Sequence, residues 1–153
     1  MDDLIEQATG TLYEADEHAW IERQIAALRD GALDRLDRAK LIAYLTDTAA
    51  RDRRELGSRL IVLYAHILKS RIQPEKATES WRLTIREQQR AIRRLLKDLP
   101  SLRNRADAIL RDVYPDAVEM AFDEMGKLPG SDPAVWSEPD LDVAALLNFE
   151  VTE

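Results

Sequence analysis

The apolar residues of the chain recur mostly three or four positions apart, which is the spacing of one face of an α-helix. The first such stretch follows Asp16, a residue type that caps helix N-termini, and it stops before Gly31. It predicts a helix whose buried stripe consists of Trp20, Ile21, Ile25 and Leu28.

A much longer apolar pattern runs over residues 37–71. Gly57 and the polar run 51–55 fall in its middle, and a glycine inside a helix costs about 1 kcal/mol. The segment therefore predicts one long central helical stretch, either continuous or interrupted near Gly57 by a kink or a break. Its apolar positions are Leu41, Leu45, Ala49, Leu56, Leu60, Leu63 and Ile67.

Two further helices are predicted on either side of Pro100. The third helix begins near Thr78 or Ser80, and the fourth is predicted to be capped by Ser101 and to end by Gly126. The inward positions predicted for the third helix are Trp81, Ile85, Ile92, Leu95, Leu96 and Leu99, and those for the fourth are Leu102, Ala106, Ile109, Leu110, Val113, Ala117, Met120 and Ala121.

The end of the chain has a different character, because prolines recur between residues 127 and 139. One short helix is expected there, in the sequence DVAALL. The whole chain has only five glycines and six prolines and is rich in Ala, Leu, Arg and Glu, which favours helices over strands. We expect one all-α domain over residues 1–153, a four-to-five-helix bundle with a helical core at about 12–126 and an irregular C-terminal tail at 127–153.

The charges are distributed unevenly along the chain. Residues 51–105 hold 15 Lys and Arg against 6 Asp and Glu, whereas the segments on both sides are acidic. A basic segment can indicate nucleic-acid binding. Alternatively, an antiparallel hairpin of the third and fourth helices would pair Arg90 with Asp112 and Arg86 with Asp116. The same register sets Ile92 against Leu110, Leu96 against Ala106 and Ile85 against Ala117.

Composition narrows the possible chemistry. The chain has no cysteine, and its only histidines, His18 and His66, do not stand in a metal-binding spacing. No glycine-rich phosphate-binding motif is present either. We therefore expect no metal and no cofactor, and the residues favour a non-enzymatic role. Because no apolar run has the length of a signal peptide core or a membrane span, we expect a cytoplasmic protein that does not bind membranes.

Several blocks of sequence occur in an order that resembles a bacterial family known as domain of unknown function twenty-nine. These blocks are LYEADEHAW at 12–20, ALRDG at 27–31, RRELGSRLIVLYAHILK at 53–69, QPE at 73–75 and SWRLTIREQ at 80–88. Where relatives carry aromatic residues after the histidine block, this chain has Ser70 and Ile72. The resemblance, over about residues 12–147, implies a helical fold and a bacterial source, and it implies no particular activity, substrate or cofactor.

The residues shared with the family define a candidate polar site centred on the one histidine of the long helix. If they converge, they could bind an anion or perform acid–base chemistry. They are Asp16, Arg59, His66, Lys69, Trp81 and Arg86, with Trp20 beside them. We interpret Trp20, Trp81 and Trp136 as residues that pack against other side chains, in preference to a role in binding a ligand.

Three functions are compatible with these observations. The first is self-association or binding of a protein partner through long amphipathic helices. The second is nucleic-acid binding through basic residues that the hairpin leaves free, namely Arg51, Arg53, Arg54, Arg59, Lys69 and Arg71. The third is an enzyme in which His66 acts as a general base.

Overall fold

The computed structural model describes residues 12–126 and 142–151, and throughout these residues the regular structure is helical. The helices are α1 (Glu17–Arg29), α2 (Arg38–Ile72), α3 (Glu79–Asp98), α4 (Arg103–Met125) and α5 (Val143–Leu147), with 3₁₀ turns at Leu33–Arg35, Pro74–Lys76 and Pro100–Leu102. The all-α prediction is confirmed, including the long central helix and the short helix in DVAALL. The predicted irregular stretch 127–141 and Trp136 lie outside the described residues.

The chain forms two compact units, Met1–Ala50 and Arg51–Glu153, and α2 contributes residues to both. In the N-terminal unit the Asp16 side chain accepts a hydrogen bond from the Ala19 N–H at 3.0 Å, and this cap starts α1 as predicted. The Trp20 indole is fully buried, and its ring packs edge-on against Tyr13 and at a tilt against Tyr44.

The buried stripe of α1 agrees with the prediction at Trp20, which is fully buried, but differs from it at Leu28. Leu28 is 55% exposed, whereas the polar residue Gln24 is buried together with Ala27. The reason is a specific hydrogen bond, since the Gln24 Oε1 accepts the Asp37 N–H at 2.8 Å and so joins α1 to the start of α2. A side-chain amide can be buried when it is hydrogen-bonded, so α1 turns the face that carries Gln24 toward the core and leaves Leu28 exposed.

Helix α2 is one uninterrupted helix of 35 residues, so the chain has neither a break near Gly57 nor a loop in the polar run before it. Gly57 is buried, and a Cβ at this position would lie 3.3 Å from Val113 Cγ1 and 3.7 Å from Ile109 Cγ2 of α4. The missing side chain therefore permits close approach of α2 and α4, and this packing outweighs the weak helix propensity of glycine.

The C-terminal unit has a single apolar core to which the last half of α2, α3, α4 and α5 all contribute. Helices α3 and α4 form the predicted antiparallel hairpin, and all six apolar residues of the predicted register are buried in this core. Ser101 does not cap α4. It lies within the 3₁₀ turn Pro100–Leu102, the N-cap position is Leu102 without a side-chain bond, and the Arg103 Nε donates to the Leu96 carbonyl at 3.1 Å across the turn.

The predicted charge register of the hairpin is wrong. Arg86 pairs with Glu79 of its own helix at 2.9 Å, and among the ion pairs of residues 12–126 neither Arg86–Asp116 nor Arg90–Asp112 occurs. An exposed ion pair stabilises by only about 0–1 kcal/mol, so apolar packing decides how the two helices rotate against each other.

The C-terminal segment is held onto α3 and α4 by side-chain hydrogen bonds to its backbone. The buried Gln89 of α3 uses its amide nitrogen to donate to the Leu146 carbonyl at 3.0 Å and the Phe149 carbonyl at 2.9 Å. On α4, an Asp107 carboxylate oxygen accepts the Val143 N–H at 3.0 Å. None of the helices described is long and apolar enough to cross a membrane.

Candidate functional site

Three helices of the C-terminal unit bring a small polar cluster together around the end of α2. His66 and Lys69 lie three residues apart on α2 and so share a helix face, Trp81 comes from the first turns of α3, and Glu124 from the last turn of α4. Three of the six predicted site residues, His66, Lys69 and Trp81, therefore lie in this part of the unit.

Lys69 is the buried charge of the cluster, with only 3% of its surface exposed. Its ammonium group forms an ion pair with the Glu124 carboxylate and lies 4.8 Å from the centroid of the Trp81 ring. A buried ammonium group loses its hydration, and both the carboxylate and the aromatic face compensate for that loss. Lys69 is thus a fixed, fully engaged cation.

His66 is half-buried beside this pair. Its Nδ1 lies 2.9 Å from the Val62 carbonyl oxygen, and because a carbonyl only accepts, Nδ1 carries the proton. In the neutral ring the other nitrogen, Nε2, then has a free lone pair. Burial lowers the pKa of His66, and the nearby Lys69 charge lowers it further, whereas the Val62 hydrogen bond and Glu124 act in the opposite direction. The ring is therefore a neutral acceptor at neutral pH.

The other predicted residues are engaged elsewhere. Asp16 caps α1, and Trp20 is a buried packing residue, both in the N-terminal unit. The Arg59 guanidinium binds Glu55 at 3.0 Å and lies 3.4 Å from the Gln88 side-chain oxygen, and Arg86 binds Glu79. Within the C-terminal unit, Arg59 and Arg86 thus bind groups outside the His66 cluster.

The sequence matches the model of a known protein family. The model of the family described as "Domain of unknown function DUF29" matches residues 12–139, which is most of the chain. The chain belongs to this family. No curated protein and no solved structure matches it.

In this DUF29 chain the carboxylate of the cluster was not foreseen from the sequence. Helical spacing places four other acidic residues of α4 in one stripe, namely Asp112, Asp116, Glu119 and Asp123. Glu124 lies beside that stripe, but it continues the spacing of the buried Ala117 and Ala121 by three residues. A charged residue at a position with core spacing signals a buried partner, and this signal could have found it.

Two of the basic residues that were predicted to contact nucleic acid are already engaged within the protein. Lys69 is buried and paired, and Arg59 is bound by Glu55, so neither is a free surface charge. No group of three metal-binding side chains occurs within residues 12–126 and 142–151. The chemical groups of the cluster are therefore one neutral imidazole acceptor, on His66, and the ion pair between Lys69 and Glu124.

Proposed function

We propose that the DUF29 chain acts through protein–protein association, with a second copy of itself as the partner and the outward face of the first half of α2 as the contact. The observation that carries the proposal is the distribution of exposed apolar surface. Within residues 12–126 and 142–151, five large apolar side chains are more than half exposed, and four of them belong to the N-terminal unit, namely Leu28, Leu33, Ile42 and Leu45.

On α2 these side chains form a stripe. Ile42 is 59% exposed and Leu45 is 62% exposed, they lie three residues apart, and the exposed Ala49 follows four residues later. The nearby threonines add little polarity, because the Thr46 hydroxyl donates to the Ile42 carbonyl at 2.7 Å and the Thr48 hydroxyl to the Tyr44 carbonyl at 2.9 Å. The stripe is an apolar surface with few unmet hydrogen-bonding groups, which suits contact with another helix.

A second copy is the simplest partner for this stripe, because a two-fold axis places the same surface on both sides of an interface. In an antiparallel pair of α2 helices centred on Leu45, the two Leu45 side chains meet. Residues seven positions on either side are then opposite each other, which sets Arg38 of one copy against Asp52 of the other. Neither residue has a partner among the ion pairs of residues 12–126, and one register matches apolar and charged positions together.

The test is the molar mass of the purified protein by size exclusion with light scattering, over a range of protein concentrations. The wild type should form a dimer, and Leu45→Glu should be a monomer with a dimer dissociation constant raised by roughly a hundredfold or more, since two leucine burials are lost. Leu83→Glu is the matched control, because Leu83 is 53% exposed but belongs to α3 in the C-terminal unit, and it should remain dimeric.

The register is tested separately by charge exchange. Arg38→Glu should weaken the dimer, because it places two acidic side chains opposite each other at each end of the interface, and Asp52→Arg in the same chain should restore it. A wild type that stays monomeric at every concentration, or a Leu45→Glu variant as dimeric as Leu83→Glu, would show that this surface is not an interface.

A further inference from the structure

A cleft lies between α3 and the C-terminal residues 147–151, and all the residues that line it belong to the C-terminal unit. Its volume is about 570 Å³, within the range of small-molecule sites. The wall formed by residues 147–151 has three apolar side chains, Leu147, Phe149 and Val151. The other wall is a stripe of α3 with turn spacing, Arg82, Arg86, Gln89 and Arg93, so three guanidinium groups line the cleft.

The walls are held in place by hydrogen bonds that do not involve a ligand. Gln89 is buried and donates to two carbonyls of the C-terminal segment, and Arg93 donates to the Leu147 carbonyl. The Arg71 guanidinium lies 5.4 Å from the Phe149 ring centroid and adds a fourth cation beside the apolar wall. A site built from such pre-positioned groups binds without first ordering itself.

The positive charge of the cleft is only partly compensated. Glu150 is the carboxylate in its lining, and Glu79 of α3 serves two arginines, Arg86 at 2.9 Å and Arg82 at the longer distance of 3.8 Å. In the described part of the chain, the guanidinium groups that line the cleft thus outnumber the carboxylates near them. An oxyanion would supply the charge that is missing.

Arg82 also carries an unmet hydrogen-bond donor. Its Nε atom is buried and has no hydrogen-bond partner among the residues that the structure describes, although the side chain as a whole is 32% exposed. A buried N–H without an acceptor costs roughly 1–3 kcal/mol and is uncommon in folded proteins. The arginine fork, with Nε–H and a terminal N–H side by side, is the geometry that grips a carboxylate or a phosphate with two parallel bonds.

We propose that this cleft binds a small organic oxyanion, in which a phosphate or carboxylate group contacts Arg82 and Arg86 and an apolar body packs against Phe149 and Leu147. On binding, the Arg82 guanidinium turns toward the cleft, and its Nε–H, which has no hydrogen-bond partner among residues 12–126 and 142–151, donates to the oxyanion. The site is independent of the α2 stripe, because every residue that forms it belongs to the C-terminal unit.

The experiment is calorimetric titration with three probes, phenyl phosphate, phenylacetate and inorganic phosphate, combined with a ¹⁵N–¹H spectrum that follows the arginine Nε–H resonances. We expect one aromatic anion to bind saturably with one molecule per chain and to shift the Arg82 Nε–H resonance. Arg82→Gln and Arg86→Gln should each weaken binding roughly tenfold or more, as expected for the loss of charged hydrogen bonds. Which aromatic anion binds more tightly distinguishes phosphate from carboxylate.

The matched control is Arg90→Gln, an exposed arginine of α3 outside this cleft with the same loss of charge. It should bind as the wild type does. If Arg82→Gln does not fold, as judged by its circular dichroism, Arg86→Gln and the wild-type resonance shift still decide the question. The proposal is overturned by the absence of saturable binding at millimolar concentration, by inorganic phosphate binding as tightly as phenyl phosphate, or by an equal loss in Arg90→Gln.

Discussion

The ion pair between Lys69 and Glu124 is asymmetric, and this asymmetry makes a sharp prediction about stability. The Lys69 side chain is 4% exposed, whereas the Glu124 side chain is 40% exposed. Removing Glu124 leaves an ammonium group enclosed by protein, but removing Lys69 leaves a carboxylate that water can reach. We therefore expect Glu124→Gln to destabilise the protein more than Lys69→Met does.

The magnitude follows from the degree of enclosure. Loss of one member of a fully buried pair costs about 3–5 kcal/mol, and an exposed pair contributes about 0–1 kcal/mol. Because Glu124 is partly solvated and the Trp81 ring at 4.8 Å stays beside the ammonium, we expect Glu124→Gln to cost about 2 kcal/mol. Lys69→Met keeps most of the apolar contact of the side-chain stem and should cost about 1 kcal/mol or less.

The assay is urea unfolding at neutral pH, with the free energy of unfolding of the wild type, both single variants and the double variant. The double variant should be about as stable as Lys69→Met alone, because no buried charge remains. Glu119→Gln is the control, an exposed acidic residue of α4 with the same change in net charge, and it should be close to wild type. A cost of Lys69→Met that exceeds that of Glu124→Gln would refute the reasoning.

Three other results are expected from the same unfolding assay. Burial lowers the pKa of His66 in the folded state, so the unfolded state binds the proton more tightly. The free energy of unfolding should therefore fall as the pH drops below about 6.5, and it should fall less steeply in His66→Gln. Equal slopes in the two proteins would contradict this prediction. Gly57→Leu should lose roughly 1–3 kcal/mol of stability, because its side chain would overlap Val113. Gly57→Ala should change stability little, because the gain in helix propensity offsets the 3.3 Å contact of its Cβ with Val113. A Gly57→Leu variant as stable as the wild type would contradict close packing of α2 and α4 at this position. Asp16→Ala should lose about 1 kcal/mol with the helix cap, and Asp16→Asn should keep most of it, so equal losses in both would exclude the cap.

The candidate site was predictable only in part. The spacing of His66 and Lys69 on a helix and the position of Trp81 on the next one could be derived from the sequence, and these residues do lie around the end of α2. Arg86 was predicted to belong to the same site, but its guanidinium forms an ion pair with Glu79 of its own helix. Helical spacing alone does not show which acidic residue an arginine binds. The donor without an acceptor on Arg82 is a property of burial and has no signature along the chain.

The sequence by itself determined where the helices lie, that Asp16 begins α1 and that Gly126, with a φ of 65°, ends α4, and it placed the start of α3 near Thr78 or Ser80. Each of these features depends on hydrogen bonds and apolar spacing within a few residues. Only the tertiary structure decided that α2 continues through Gly57, that Glu124 and not a stripe residue meets Lys69, and that Gln89 holds the C-terminal segment. These depend on how the helices rotate and pack against one another, which core packing sets and weak surface charge pairs do not.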